Sequence, residues 1–170
     1  MCGVIALVPS TVYRLPSTVY RLPPTIAVTK TISAPSPDFI WPVRVYYEDT
    51  DAAGVVFYAN YLKFMERART EWLRSLGFEQ TTLMHDHNVV FVVRALAVEF
   101  RRPALFNDEL EVTVALRATR GSLLEIAQSV RRGAQDLVTG EVKVACVNTQ
   151  SFRPVRIPNP ILEKFAARKA

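Results

Sequence analysis

The acidic stretch over residues 46–54 holds the side chains most able to do chemistry. Glu48, Asp49 and Asp51 lie within four positions, and Asp51 precedes Gly54 by three residues. The stretch lies between a predicted strand and a predicted helix, beside the free backbone N–H groups that begin every helix. A carboxylate there could serve as a nucleophile or a general base while the N–H groups polarise a carbonyl. The segment therefore predicts a small hydrolytic site without a metal or a cofactor.

Each of these acidic residues also has a plainer structural interpretation. Asp49 is expected to cap the turn and hold Asp51 in place, and Glu48 is expected to face solvent. Aspartate side chains often form turns without any catalytic role, so the residues alone favour a turn at Asp51 over catalysis. Gly54 is expected to have a positive φ or to allow the close approach of a ligand.

One long amphipathic helix follows the acidic stretch. Apolar residues recur at spacings of three and four from Tyr61 to Leu76, which predicts a helix over 60–76 with one buried face. Asn60 is expected to cap its start, and Gly77 has the place of a C′ glycine. Shorter helices are predicted over 81–86 and 159–168.

The remaining segments predict long strands joined by short turns. Short links are typical of antiparallel neighbours. A sheet must cover its apolar face, and only one predicted helix is long enough to do so. We therefore expect an α+β fold in which a curved, five-stranded antiparallel sheet wraps around the central helix. The predicted strands cover 42–47, 89–102, 109–119, 122–132 and 137–152.

Composition places the chain among ordinary globular proteins. It has 170 residues, of which 49% are hydrophobic and 22% charged, and this length suits one domain with a sizeable core. No apolar run approaches the roughly 18–20 residues that cross a bilayer. The two cysteines, Cys2 and Cys146, are too few and too differently placed for a disulfide framework. We expect no integral membrane segment and a cytoplasmic location.

The leading segment differs from the rest of the chain. Residues 1–37 contain three basic residues and no acidic one, which accounts for most of the net charge of +5. Because no basic cluster accompanies a base-recognition motif, nucleic-acid binding is not expected. The heptapeptide STVYRLP occurs in tandem at 10–16 and 17–23, and its prolines exclude a coiled coil. We expect residues 1–37 to be a disordered extension and 38–170 to form the domain.

Two explanations of the repeated extension stay open. The favoured explanation is a duplicated tail without function, such as a misplaced start of translation would produce. The alternative is a peptide ligand for a partner.

The run from Trp41 to Tyr61, WPVRVYYEDTDAAGVVFYANY, is similar to the signature of the hotdog-fold thioesterases. More narrowly, the chain resembles the tol-pal system-associated acyl-CoA thioesterases, the YbgC group, which are relatives of 4-hydroxybenzoyl-CoA thioesterase. The similarity covers roughly residues 38–168. Further matching stretches are Phe64–Glu71, Phe91–Arg94 and Val144–Val147.

This resemblance implies hydrolysis of an acyl-CoA thioester to a free acid and CoA, with no cofactor beyond the CoA of the substrate. It implies Asp51 as the nucleophile or general base and the backbone amide near Tyr58 as the donor to the thioester carbonyl. Several relatives have histidine where this chain has Tyr58, so an imidazole is lost while the amide is kept. Glu66 matches a helix position that is catalytic in another branch, but we expect it to pair with Arg69 or Arg44 behind the reacting groups.

The resemblance also implies where the substrate lies. The turn between two central strands supplies CoA contacts, often from the neighbouring subunit, and here that turn contains Arg120 and Ser122. Arg153 and Arg156 are further candidates, although plain solvation explains any one surface arginine equally well. An acyl carrier protein is a second candidate carrier of the acyl group. The acyl group is expected beside Gly54, Phe57, Tyr61 and Phe91.

Hotdog domains hide an edge strand by pairing into a continuous sheet, which implies a homodimer or homotetramer with sites at subunit interfaces. His85 and His87 flank Asp86 but point in different directions without a third ligand, so no metal is expected. Two other function classes stay open. One is hydration or dehydration of acyl thioesters, although such enzymes tend to use a histidine. The other is a non-catalytic, acyl-carrier-binding or envelope-associated scaffold.

Overall fold

The computed structural model describes residues 36–167, and the extension predicted over 1–37 lies almost wholly outside them. Within this part of the chain, five strands form one sheet and three α-helices accompany it. The strands are β1 (Phe39–Arg44), β2 (Val89–Phe100), β3 (Glu109–Arg120), β4 (Leu123–Arg132) and β5 (Gln135–Asn148). The helices are α1 (Tyr58–Ser75), α2 (Gln80–Asp86) and α3 (Asn159–Ala167).

The strand order is β1-β3-β4-β5-β2, and all neighbours are antiparallel. The two hairpins, β3–β4 and β4–β5, follow from the short turns that join these strands. Strands β1 and β2 are therefore the two edges of the sheet. The expected α+β fold, a five-stranded antiparallel sheet with one long helix packed on it, is confirmed.

Helix α1 buries one stripe of its surface against β1, β3 and β4. The stripe follows the predicted periodicity and contains Tyr61, Phe64, Met65, Ala68, Trp72 and Leu73. Strand β5 approaches α1 closely at Gly140, where a Cβ atom would lie 3.3 Å from the Met65 Cε atom. This contact fixes the spacing between the helix and the middle of the sheet.

The start of α1 differs from the sequence prediction. The helix begins at Tyr58, and Asn60 is buried inside its first turn rather than capping it. The Asn60 amide donates a hydrogen bond to the carbonyl oxygen of Asp49, with an N···O distance of 2.9 Å. That contact draws Asn60 towards the preceding loop and leaves Phe57 as the N-cap. At the other end, Gly77 has φ +89°, as expected for a C′ glycine.

Strand bounds differ from the prediction by up to four residues. Side chains that bind the backbone explain the early ends of β1 and β5. Strand β1 ends at Arg44 because Tyr47–Asp49 forms a 3₁₀ turn, in which Asp49 accepts a hydrogen bond from the Tyr46 N–H. Strand β5 ends at Asn148, whose side-chain oxygen accepts hydrogen bonds from the N–H groups of Gln150 and Ser151. Local capping therefore overrides the apolar pattern that suggested longer strands.

The C-terminal segment closes the far end of the sheet. The Val155 N–H donates to the Cys146 carbonyl, and the Ile157 N–H donates to the Gly121 carbonyl. The ring of Phe165 on α3 stacks on Trp72 of α1, with centroids 5.1 Å apart. These contacts hold α3 beside the C-terminal half of α1. No helix within residues 36–167 is long and apolar enough to cross a membrane.

Candidate active site

Residues 51–54 form a tight turn immediately before α1. The Gly54 N–H donates to the Asp51 carbonyl, and the Asp51 N–H donates to the Val55 carbonyl, both at 2.9 Å. Gly54 has φ +75°, so the positive φ expected from the sequence is present. A bridge between Thr50 and Val56 closes the base of the turn. Asp51 is therefore held on a well-defined loop.

The Asp51 carboxylate uses its two oxygens differently. Oδ1 accepts a hydrogen bond of 2.8 Å from the Ala53 N–H, which is the aspartate turn that the plainer interpretation predicted. Oδ2 has no hydrogen-bond donor among residues 36–167, and the side chain is exposed. One oxygen orients the carboxylate while the other is free, so the turn and a chemical role are compatible.

The first turn of α1 supplies backbone donors. The Phe57 N–H donates to the Asp49 carbonyl, and the Asn60 N–H donates to the Phe57 carbonyl. The two N–H groups between them, of Tyr58 and Ala59, have no acceptor in the described part of the chain. They lie at the positive end of the α1 dipole. Such a pair can polarise a carbonyl oxygen.

Asp49 connects the loop to the helix. The residue is 8% exposed, and its Oδ2 accepts a hydrogen bond from the Tyr46 N–H at 2.9 Å. Its carbonyl oxygen accepts two further bonds, from the Phe57 N–H and the Asn60 amide. These are the contacts of a residue that positions the loop. Glu48 is exposed, as expected for a residue that faces solvent.

Aromatic rings line the approach to this helix start. Tyr58 is 62% exposed, and its ring lies edge-on to Phe100 with centroids 6.4 Å apart. The ring centroids of Phe57 and Tyr58 lie 4.6 Å apart. Tyr61 is only 3% exposed, and its hydroxyl accepts a bond of 2.8 Å from the Ala104 N–H. Of the predicted acyl contacts, Phe57 therefore offers more surface than Tyr61.

Phe100 was missed by the sequence prediction, although it is 49% exposed beside Tyr58. It ends β2, and only the pairing of β2 with β5 brings that end of the strand to the start of α1. The sequence signal was weak, a large apolar residue at the end of a strand with no nearby motif.

The ion pair predicted for Glu66 is wrong. Glu66 Oε1 accepts a hydrogen bond from the Thr70 hydroxyl at 2.8 Å. Arg69 donates instead to Gln128 Oε1 at 2.6 Å, and Arg44 pairs with Glu109. Both arginines find acceptors on the sheet, which lies closer to their guanidinium groups than the exposed carboxylate of Glu66 does. Burial lowers the pKa of Arg69, and the nearby charge of Glu66 opposes that shift.

Three predicted substrate contacts lie at the opposite end of the sheet. Phe91 pairs with Cys146, whose N–H donates to the Ser122 carbonyl at 2.8 Å. Arg120 lies on the adjoining turn, and its Nε is 3.9 Å from Glu125 Oε1. Nine residues of strand separate Phe91 from Phe100, which is about 30 Å. A single chain therefore does not bring these residues to Asp51.

The segment from His85 to His87 has no further metal ligands beside it in the described part of the chain. Over residues 36–167, no group of three or more His, Cys, Asp and Glu side chains is placed to hold a metal ion. His85 lies on α2, His87 follows it directly, and both are exposed.

The loop, the helix start and four of the five strands lie in a region that matches a known family. The sequence model of the thioesterase-like superfamily matches residues 45–165, which include the acidic loop, α1 and all of β2 to β5. The chain belongs to this superfamily. The family predicted from the Trp41–Tyr61 run is thereby confirmed.

Individual proteins named as thioesterases are also similar to this chain in sequence and in structure. The chain is 43% identical over 127 residues to the acyl-CoA thioesterase YbgC of Haemophilus influenzae, covering 75% of this chain and 93% of that protein. It is 44% identical over 128 residues to the acyl-CoA thioester hydrolase YbgC of Escherichia coli O6:H1, covering 75% and 95%. The crystal structure of a probable thioesterase from Bartonella henselae superposes with a TM-score of 0.67 at 36% identity, covering 70% and 98%.

Proposed function

We propose that this protein hydrolyses acyl-CoA thioesters to a free acid and CoA. The proposal rests on one observation about residues 36–167: the turn that holds Asp51, whose Oδ2 accepts no hydrogen bond there, leads into a helix start at which the Tyr58 and Ala59 N–H groups have no acceptor. The Asp49 carbonyl joins the two parts, because it binds the Phe57 N–H and the Asn60 amide at the helix start. The relatives named acyl-CoA thioesterases supply the substrate class.

The proposed chemistry uses both parts of the site. The thioester carbonyl oxygen accepts hydrogen bonds from the Tyr58 and Ala59 N–H groups, which stabilise the negative charge that develops on it. In one route Asp51 Oδ2 attacks the acyl carbon, the C–S bond breaks, and water then hydrolyses the mixed anhydride. In the other route Asp51 removes a proton from the attacking water. The CoA thiolate leaves in both routes and takes up a proton.

We further propose that the protein acts as a homodimer at least, formed through β2. This edge strand is 12 residues long, and no other part of residues 36–167 covers its exposed apolar side chains. A long apolar edge with unpaired backbone groups favours pairing with a second copy. The exposed apolar residues are Val92, Val93, Leu96 and Phe100.

Antiparallel pairing of two β2 strands would complete the site. With a two-fold axis through the centre of each strand, Phe100 of one chain would lie beside Val89 of the other. Phe91 and the Arg120–Ser122 turn of the partner subunit then approach Tyr58 of the first chain. The predicted contacts that one chain holds apart would therefore come from two chains.

A homotetramer, a cytoplasmic location and a link to the tol-pal system stay predictions of the resemblance.

Release of free thiol from a panel of acyl-CoA esters tests the proposed activity. The panel contains short and long aliphatic, branched and aromatic acyl groups, and the Asp51→Asn variant purified in the same way measures any contaminating hydrolase. Activity that is present in the wild type and lost in the variant supports the proposal. Failure to hydrolyse every ester, with binding retained, would instead support the acyl-carrier-binding scaffold.

A further inference from the structure

Residues 104–108, here called the brace, lie between β2 and β3 and bind the chain just before the acidic loop that carries Asp51. The Asn107 N–H donates to the Val45 carbonyl at 3.0 Å, and the Val45 N–H donates to the Asp108 carbonyl at 3.0 Å. Asn107 has φ +69°, a conformation that few residue types other than glycine, asparagine and aspartate adopt. The brace therefore turns sharply at the point where it makes both bonds.

The brace also binds the chain just after Asp51. The Val56 N–H donates to the Ala104 carbonyl at 2.9 Å. Val55 forms an antiparallel bridge with Leu105. Because the Asp51 turn lies between these contacts and the ones before the loop, both of its ends are fixed to the same five-residue segment.

Two side chains from the body of the domain hold the brace itself. The hydroxyl oxygen of Tyr61, on α1, accepts a hydrogen bond of 2.8 Å from the Ala104 N–H. Arg132, at the end of β4, donates to Asp108 Oδ2 at 2.7 Å. The same carboxylate oxygen accepts a hydrogen bond of 2.8 Å from the Leu105 N–H. The brace is thus tied to the central helix at one end and to the sheet at the other.

The Tyr61 hydroxyl satisfies a donor that has no alternative acceptor within residues 36–167. Ala104 is fully buried, and Tyr61 is almost fully buried beside it. A buried N–H group that loses its acceptor is costly, so the backbone must move until that group finds a partner or water. Movement at Ala104 also displaces the Val56 N–H that is bonded to its carbonyl, and with it the turn that holds Asp51.

We infer that Tyr61 and Arg132 are positioning residues for the proposed thioesterase reaction, and that they act through the brace to hold the Asp51 carboxylate beside the start of α1. The inference rests on the proposed function. It gives Tyr61 a different role from the acyl contact that the resemblance implies, and neither side chain needs to touch the substrate. A misplacement of about 1 Å can lower a reaction rate by about 10²-fold, so a small shift of the loop is enough to matter.

Tyr61→Phe tests the inference because it removes only the hydroxyl and keeps the ring that lies against Phe64 and Phe100. We expect kcat for acyl-CoA to fall by about tenfold, the size of one lost hydrogen bond to a buried group, while KM stays unchanged. The fall should be the same for short, long and aromatic acyl groups. The matched control is Tyr47→Phe, which removes an exposed hydroxyl from the acidic loop, keeps the ring stacked on Phe106 and should retain wild-type kcat.

A double variant shows whether Tyr61 acts through Asp51. Adding Tyr61→Phe to Asp51→Asn, assayed at high enzyme concentration, should cause no further loss of kcat, since the group that Tyr61 positions is already gone. Losses that multiply in the double variant would overturn the inference. So would an unchanged kcat in Tyr61→Phe, or a loss that appears in KM and varies with the acyl group, because the latter is the signature of an acyl contact.

Arg132→Met tests the second attachment of the brace. The fall in kcat should be about threefold, smaller than for Tyr61→Phe because Asp108 keeps its bond from the Leu105 N–H. The matched control is Arg131→Met on the same strand, whose guanidinium pairs with Asp136 instead of the brace and whose loss should leave kcat unchanged. Equal kcat values in the two variants would overturn the role of Arg132.

Hydrogen exchange tests the brace without relying on hydrolysis. The backbone of residues 50–57 should exchange about tenfold faster in Tyr61→Phe than in the wild type, whereas Tyr47→Phe should match the wild type. Equal exchange in all three proteins would overturn the inference even if the enzyme is active. Absence of hydrolysis by the wild type on every ester would refute the proposed function, while the exchange rates would still decide whether Tyr61 holds the loop.

Discussion

Replacing Tyr58 with proline removes one of the two backbone donors that the proposed mechanism uses. Proline is best tolerated at the first position of a helix, where its missing N–H has no intrahelical acceptor. The preceding residue, Phe57, has φ −59° and ψ 131°, which lies in the region that a residue before proline prefers. Tyr58→Pro should therefore fold with nearly unchanged stability while the oxyanion site loses one N–H group.

The expected loss follows from the usual contribution of one oxyanion donor. One well-placed oxyanion donor contributes about 3–4 kcal/mol to the barrier, so kcat should fall by about 10²–10³-fold. The control is Tyr58→Ala, which removes the same ring and keeps the N–H. Thiol-release kinetics and thermal melting of both variants separate the two contributions. Equal kcat values in the proline and alanine variants, with both proteins folded, would refute the role assigned to this amide.

Three further predictions concern the edge strand, the loop anchor and a buried thiol. Val93→Glu places two like charges near the two-fold axis of the proposed dimer, so light scattering should give the mass of one chain and activity should be lost. The control Ile40→Glu, on the other edge strand, should stay dimeric. A fully active Val93→Glu monomer would disprove the shared site. Asn60→Ala removes one of the two donors to the Asp49 carbonyl, so urea unfolding should show a loss of about 1 kcal/mol; no loss would mean that the bond does not hold the loop. Burial raises the pKa of Cys146 to about 11 from 9.0, so the thiol ionises first in the unfolded chain and stability should decline as pH rises from about 9 to 11. Cys146→Ala should flatten that decline, and an identical pH profile would contradict it.

Local patterns in the sequence predicted much of the fold. The spacing of Tyr61, Phe64, Met65 and Ala68 predicted α1 because a helix that packs on a sheet must bury one stripe. The short turns at Gly121 and Gly133 predicted the β3–β4 and β4–β5 hairpins. The predicted ends of helices and strands were wrong where a polar side chain binds the backbone, as those of Asp49, Asn60 and Asn148 do. The pattern of apolar residues carries no information about such contacts.

The composition of the candidate site was harder to predict for a topological reason. Asp51, Gly54 and Tyr58 are close in sequence and close in space, so one motif suffices to find them. Phe100 comes to Tyr58 through strand pairing that links distant residues. Phe91 and Ser122 lie at the opposite end of the sheet from Asp51, so the fold of one chain does not bring them to it.

The kcat of Asp51→Asn tests the central claim most directly. Asparagine is isosteric with aspartate, and its side-chain oxygen can still accept the bond from the Ala53 N–H that shapes the turn. The matched control is Glu48→Gln, which neutralises an exposed carboxylate three positions earlier. We predict unchanged melting for both variants, wild-type turnover in Glu48→Gln, and a fall in kcat of about 10²–10⁴-fold in Asp51→Asn. Turnover by Asp51→Asn within a few-fold of the wild type would contradict it.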